Sequence, residues 1–277
     1  AGAAAGGASL FGGGVAIGRL LRLDSQRGDY RRSWENHNLA TLERLRQLDE
    51  HPEGKRPYLI VSLGDSSVQG MGASRVTESY PARLASAITQ QMDREVLLLN
   101  LSLSGATIES VELTQLPQMR GLGLLDGPFR PDLVTLTIGG NDVMAEDMAP
   151  GQFEERLRRI LAALPSGALV STIPSFGIMP QESRAQDMSD RIRAAVEDSD
   201  AHLVDLRSLT QEYSLPTYTF AYHAADFFHP NSAAYAKWAQ LFADAWAESR
   251  REPAPVVEDA PQWDMLSARV AQSEYDD

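Results

Sequence analysis

The chain has 277 residues, 43% of them hydrophobic, which is enough for one substantial core and calls for no second domain. Its formal charge of -13 argues against a nucleic-acid partner, because phosphate binding depends on clustered Lys and Arg. The absence of cysteine excludes disulfides, thiol nucleophiles and Cys-ligated metals, and it leaves the redox compartment open.

Residues 1–18 carry no charged side chain, and Arg19 and Arg22 close the run. Its length suits a short membrane span. Its glycines, with Gly2/Gly6 and Gly14/Gly18 spaced by four, weaken a helix in water but allow close packing in a bilayer. Three readings stand for residues 1–23: a membrane anchor, the remainder of an export signal, or a low-complexity tail. The first two place the domain outside the cytoplasm, whereas the arginines after the run favour the opposite orientation under the positive-inside rule.

Residues 24–56 read as a leading helical segment. Asn38 is placed to cap a helix to Glu50, with Leu39, Leu42, Leu45 and Leu48 on one face, and His51-Pro52-Glu53-Gly54 ends it. Residues 57–250 then alternate strands with helices, the pattern of a parallel sheet covered on both faces. The expected strands are Tyr58 to Leu63, Val96 to Leu101, Asp132 to Ile138, Ala168 to Ile173 and His202 to Leu206. The expected helices are Pro81 to Met92, one ending near Leu116, Phe153 to Leu164, Ala185 to Asp198 and Ser232 to Ser249. The loops at 121–131, 174–186 and 215–225 carry Phe129, Phe176, Met179, Tyr218, Phe220 and Tyr222, the makings of an apolar wall around a site. Residues 251–277 turn to Pro, Ala and acid and read as a disordered tail; Trp263, Met265, Leu266 and Val270 are its only candidates for a docking segment.

Chemistry is concentrated where the strands end. The run Pro57-Tyr58-Leu59-Ile60-Val61-Ser62-Leu63 is a buried parallel strand that stops at Gly64-Asp65-Ser66-Ser67, and ligand sites of such sheets lie at the carboxyl ends of strands. Ser66 is a candidate nucleophile and equally a helix cap. The second strand leads to Asn100-Leu101-Ser102-Leu103-Ser104-Gly105 and the third to Gly139-Gly140-Asn141-Asp142, while Asp226-Phe227-Phe228-His229-Pro230 precedes the last helix. Ester hydrolysis by serine needs a nucleophile, a base, an acid that orients the base, and donors for the oxyanion. His229 is the candidate base, with Asp226 placed to hold its Nδ1–H. His223 is a rival that could use the same acid. Gly105 offers a backbone N–H unobstructed by a Cβ, or is an ordinary turn glycine; Asn141 offers an uncharged amide. Asp65 and Asp142 read as structural carboxylates.

In this order, the blocks Gly64-Asp65-Ser66-Ser67, Gly105, Gly139-Gly140-Asn141-Asp142 and Asp226-Phe227-Phe228-His229-Pro230 resemble those of the SGNH hydrolases, the GDSL esterase/lipase superfamily, over residues 57–250. The resemblance implies a three-layer α/β/α sandwich with a five-stranded parallel sheet and no metal or organic cofactor. It implies Ser66 as nucleophile, Asp226 and His229 completing the triad, and an oxyanion hole from the Ser66 N–H, Gly105 and Asn141. Ser67, Ser102 and Ala234 depart from residues frequent in that family, which bears on substrate fit rather than on the reacting groups. The implied function is a serine esterase or acylhydrolase. Its alternatives are acyl transfer to an acceptor other than water, a membrane-tethered scaffold of the same fold, and a dinuclear phosphoesterase with Asp65, Asn141, Asp142 and His229 as ligands.

Overall fold

The run Tyr58–Gly64 forms a strand, β1, buried along its whole length. In this computed structural model, which describes residues 7–50, 55–145, 147–213, 221–224, 226 and 228–266, with side chains from 25 onward, β1 is flanked on both edges. The elements follow in the order α1 (Gly7–Glu50), β1, α2 (Ser66–Gln69), α3 (Tyr80–Gln91), β2 (Val96–Asn100), α4 (Ile108–Ser110), a π-helical turn (Val111–Gln115), α5 (Leu116–Gly121) and β3 (Leu133–Thr137). The second half runs α6 (Gly140–Ala145), α7 (Pro150–Ala163), β4 (Leu169–Ser171), α8 (Glu182–Glu197), β5 (His202–Val204), α9 (Leu206–Gln211) and α10 (Ser232–Arg250). The sheet has five parallel strands in the order β2-β1-β3-β4-β5, as expected of an α/β/α sandwich.

Alternation along β1 divides the core. Leu59, Val61 and Leu63 pack with Ile108, Val111, Phe153, Leu157, Met188 and Ile192, from the α4–α5, α7 and α8 layer. Tyr58 and Ile60 face the other way, with Leu84 and Ile88 of α3 and Tyr235, Trp238, Phe242 and Trp246 of α10. Both faces of the strand are therefore apolar, the reason its sequence is a continuous hydrophobic run rather than an alternating one.

The leading helix differs from the sequence expectation. Asn38 lies inside α1 instead of capping it, and Leu39 points to solvent. The buried stripe is Gln26, Tyr30, Trp34, His37, Thr41 and Leu45, spaced by three or four residues as a helix requires. This stripe closes the free edge of the sheet. His37 Nε2 donates to Leu98 O at 3.0 Å, while Asn38 Nδ2 donates to Asn100 O at 2.7 Å and Asn38 Oδ1 accepts from Asn100 N at 2.9 Å. An edge strand with unpaired backbone groups is a site for unwanted pairing, and here the Asn38 amide and the His37 imidazole occupy it.

Residues 251–266 also differ from the disordered tail expected of them. They strap the α3/α10 layer: Ser86 Oγ donates to Pro261 O at 2.5 Å, Gln91 Nε2 to Pro253 O at 2.8 Å, and Val257, Trp263 and Met265 are buried. The strap ends at α1, where Leu266 N donates to His37 Nδ1 at 3.1 Å. His37 thus joins the edge strand, the leading helix and the carboxyl-terminal strap. Val270 lies outside the described residues, as do 1–6 and the His51-Pro52-Glu53-Gly54 stop. Among the described residues no helix is long and apolar enough to cross a membrane.

Replacing Asn38 by Ala removes both partners of the Asn100 backbone. Unfolding stability should fall by about 1 to 2 kcal/mol, seen as a lower urea midpoint at unchanged slope. An unchanged midpoint would mean that water satisfies this edge equally well.

Candidate active site

Ser66 is the first residue of α2, directly past the end of β1. The turn that delivers it is fixed at Gly64, whose φ is +141 and whose place a Cβ could not share, since it would lie 2.0 Å from Thr137 O. The Gln115 amide accepts from Gly64 N at 2.9 Å and donates to Gly64 O at 2.8 Å. Asp65 caps the short helix, its Oδ1 accepting from Ser67 N at 2.8 Å and Ser67 Oγ at 2.7 Å. The Ser66 N–H, at a helix start, finds no acceptor among the described residues.

His229 reaches Ser66 from the loop before α10. Its Nε2 is 2.8 Å from Ser66 Oγ, and its Nδ1 is 2.6 Å from Asp226 Oδ2. Nδ1 donates to the carboxylate in this network, which leaves Nε2 as acceptor for the hydroxyl. Asp226 Oδ1 accepts from the N–H groups of Phe228 and His229, both at 3.0 Å, so the acid is held by its own loop. Burial raises the Asp226 carboxyl, but the His229 hydrogen bond and charge, together with those N–H donors, outweigh it and leave the group below the ordinary range. Asn231 caps α10 through the N–H groups of Ala233 and Ala234, and Tyr235 donates to Met71 O at 2.8 Å, docking this loop on the segment after α2. His223 pairs through its backbone with Pro230, while the carboxylate it would share is engaged by His229.

Gly105 and Asn141 follow the carboxyl ends of β2 and β3. Gly105 has φ +79 and a Cβ there would meet nothing within 4 Å, so glycine is demanded by the left-handed turn and not by a close approach. Asn141 Nδ2 donates one hydrogen to Ala106 O at 2.8 Å and keeps a second. Asp142 ties the same two segments: both its oxygens lie 3.1 Å from Ile108 N, and burial pushes its pKa up to about 6. Burial also raises Asp65. Among the described residues no cluster of three or more His, Asp or Glu side chains is arranged to hold a metal.

Sequence reading missed the amides that brace these segments. Gln69 Nε2 donates to Ser102 O at 2.8 Å and its Oε1 accepts from Ser104 Oγ at 2.6 Å, linking the Ser66 helix to the Gly105 turn. Asn100 Nδ2 donates to Val68 O at 3.0 Å, and its Oδ1 accepts from Ser102 N and Oγ. A polar amide at the end of an otherwise apolar run, as at Asn100, is the signal that could have found them.

A narrow cleft open to solvent runs from Ser66 and His229 between the loops after β3 and β4 toward α9 and α10. Its apolar lining includes Ile138, Phe176, Met179, Tyr213, Tyr222 and Phe228. Phe176, Met179 and Tyr222 are therefore wall residues as expected. Phe129 instead packs against the core, and Tyr218 and Phe220 lie outside the described residues. The wall is anchored from behind by buried Arg207, which donates to Gln186 Oε1 at 2.7 Å and pairs with Glu182; Glu182 Oε2 accepts from Phe176 N at 2.6 Å. Phe176 meets Phe228 edge-on, and Phe228 stands perpendicular to the His229 ring.

Residues 62–237 match the GDSL-like lipase/acylhydrolase family, and the chain belongs to it, within the SGNH hydrolases. The fold recurs in a lipase/acylhydrolase from Enterococcus faecalis, at 19% identity and a TM-score of 0.56 over 70% of this chain and 96% of that one. It recurs in LAE5, an alpha/beta hydrolase from the metagenome of Lake Arreo, Spain, at 23% identity and 0.54 over 70% and 97%. A third is Axe2, an acetylxylan esterase from Geobacillus stearothermophilus, at 18% identity and 0.51 over 68% and 94%. None of the curated proteins compared matches the chain.

The raised pKa of Asp142 makes a prediction of definite sign. A carboxyl whose folded pKa exceeds its unfolded value contributes its stability below about pH 4 and loses it as pH rises through about 6. The stability advantage of the wild type over Asp142→Asn should therefore be greatest at pH 4 and shrink by up to about 3 kcal/mol by pH 7, as followed by urea unfolding. A gap that widens with pH would contradict the assigned shift.

Proposed function

We propose that the protein is a serine hydrolase that cleaves carboxylic esters through an acyl-enzyme on Ser66. The observation that carries this reading is the unbroken hydrogen-bonded path from Ser66 Oγ through His229 to Asp226, at 2.8 and 2.6 Å. His229 Nε2 takes the hydroxyl proton as Oγ attacks the carbonyl carbon, and the Asp226 anion stabilises the imidazolium that forms. The tetrahedral oxyanion is met by the N–H groups of Ser66 and Gly105 and by the second hydrogen of Asn141 Nδ2. Collapse expels the alcohol, which takes its proton from His229. A water deprotonated by the same nitrogen then attacks the acyl carbon and frees the acid and Ser66.

The apolar cleft beside Ser66 supports binding of an acyl chain or an apolar alcohol there. Small-acyl esters, lysophospholipids and O-acetylated glycans share this reaction centre. A series of nitrophenyl esters of rising chain length ranks them, with the cleft lining favouring acyl groups longer than acetyl.

Ser66→Ala should fold normally and lose at least about a thousandfold in kcat, with loss of labelling by a fluorophosphonate probe. Ester hydrolysis retained in that variant would overturn the assignment, and wild-type protein that the probe does not label would point to a non-catalytic scaffold. Asn141→Ala should lower kcat by about 100- to 1000-fold with a smaller effect on KM, the signature of a donor used mainly in the transition state. An unchanged kcat would remove Asn141 from the oxyanion site.

A further inference from the structure

Helix α1 runs antiparallel to β2. Arg44 pairs with Glu95 just before that strand, His37 meets Leu98 O, and Asn38 holds Asn100 at its carboxyl end. Trp34 then donates to Gln69 O, and Tyr30 and Gln26 donate to Ala73 O, in the segment that follows Ser66. The helix therefore leaves the domain at the carboxyl edge of the sheet, beside the loop where Gly72 lies against Pro230 and His229. It continues as helix back to Gly7. At about 1.5 Å per residue, the axis has travelled about 12 Å beyond Gln26 by Gly18.

The composition of that extension is unlike the rest of the chain. From Gly7 to Gly18 it is uncharged and holds Leu10, Phe11, Val15 and Ile17, with three consecutive glycines at Gly12, Gly13 and Gly14 that disfavour helix in water. From Arg19 to Arg32 follow five arginines, at 19, 22, 27, 31 and 32, in a protein of formal charge -13; Arg32 pairs with Asp29 and Arg31 with Glu35, so the basic excess lies at Arg19, Arg22 and Arg27 against Asp24. An apolar segment joined to an arginine-rich one binds at the interface of an anionic bilayer, where apolar side chains leave water and guanidinium groups meet phosphates. The rest of this acidic chain would be repelled by the same surface, so the charge asymmetry sets the orientation. Ile178, 81% exposed, and Met144, 40% exposed, stand on segments that leave the same sheet edge.

We infer that residues 7–32 seat the protein on an anionic lipid surface with the carboxyl edge of the sheet, and Ser66 with it, turned toward the lipid. The docking does not depend on the ester reading. Its consequence, that substrate is taken from the membrane side, does.

Because the chain has no cysteine, a single introduced thiol can carry a fluorescent donor. Ile178→Cys marks the carboxyl edge, and Asp93→Cys marks the exposed amino edge just before β2. With the full chain on phosphatidylcholine/phosphatidylglycerol vesicles carrying a headgroup acceptor, energy transfer should be several-fold greater from position 178 than from position 93. It should be nearly absent on pure phosphatidylcholine. Val15→Glu with Ile17→Glu should abolish transfer while leaving hydrolysis of a soluble short-chain ester unchanged, and Arg19→Glu with Arg22→Glu should weaken vesicle binding at least tenfold. Equal transfer from both edges, greater transfer from position 93, binding indifferent to phosphatidylglycerol, or no binding at all would each overturn the inference. Transfer is read without turnover, so a chain that docks in this way yet hydrolyses no ester would contradict the hydrolase proposal and uphold this one.

Discussion

The site depends on how little room there is at the end of β1. As the strand between β2 and β3, β1 exits into backbone on both sides, and at Gly64 a single added carbon would overlap Thr137 O. Both polar groups of that glycine are held by one side chain, Gln115, contributed by the π-helical turn that follows β2. A backbone unit fixed by sterics on one side and by two hydrogen bonds on the other has no soft coordinate left. The residue two positions on, Ser66, takes its place from main-chain geometry rather than from its own packing, the firmer support where a distance must hold to fractions of an ångström.

The segments around Ser66 are joined largely by neutral amides. Gln69, Asn100, Gln115 and Asn141 each reach across to another strand end or loop. An amide suits this task because one planar group offers both donor and acceptor and carries no charge to desolvate. An ion pair with a buried arginine appears instead behind the cleft wall, where Arg207 and Glu182 hold the Phe176 backbone, and there the accounting is less complete: Arg207 Nη1 has no hydrogen-bond partner among the described residues. That difference separates the amide-braced surroundings of Ser66 from a wall whose position rests on a charge pair sensitive to substitution.

The parallel strands were legible because burial on both faces writes them as unbroken apolar runs, and the glycine-acid-serine stop was legible because the apolar run ends there abruptly in polar residues. Strand ends still shifted: residues 168 and 172–173 drop from the fourth strand and 205–206 from the fifth, although His202 N still donates to Ala168 O and Thr172 N to Val204 O at the margins. Helix α1 misled because a leucine repeat outweighed the true stripe of Gln26, Tyr30, Trp34, His37, Thr41 and Leu45, most of which are polar or aromatic side chains that bond β2 or the segment after Ser66. The carboxyl-terminal strap misled for a related reason. Its Pro- and acid-rich composition has no periodicity, yet its carbonyls at 253, 255, 259 and 261 are acceptors for glutamines of α3 and α10 and for Ser86. Hydrophobic patterning reads apolar faces, and α1 is held by a largely polar and aromatic one, the strap in large part by its backbone.

Three carboxyl groups, Asp65, Asp142 and Asp226, follow the segments that meet near Ser66, and their environments divide them. Asp65 is buried at a helix start with Ser67 as its chief donor, and Asp142 is buried against a single N–H; in both, desolvation prevails and the charged form is disfavoured. Asp226 is also desolvated, yet it gathers two backbone N–H groups on one oxygen and the imidazole N–H on the other, and its charged form is favoured. Of the three, the group on Nδ1 is thus the one kept most firmly as an anion. In the proposed mechanism that is the only place where a fixed negative charge both orients the ring and stabilises it once the serine proton has moved. A second full charge at Asp65, next in sequence to Ser66, would stabilise the same imidazolium but oppose the developing oxyanion. Burial of Asp65 and Asp142 reduces that opposition, so the pKa differences follow the direction in which charge must move.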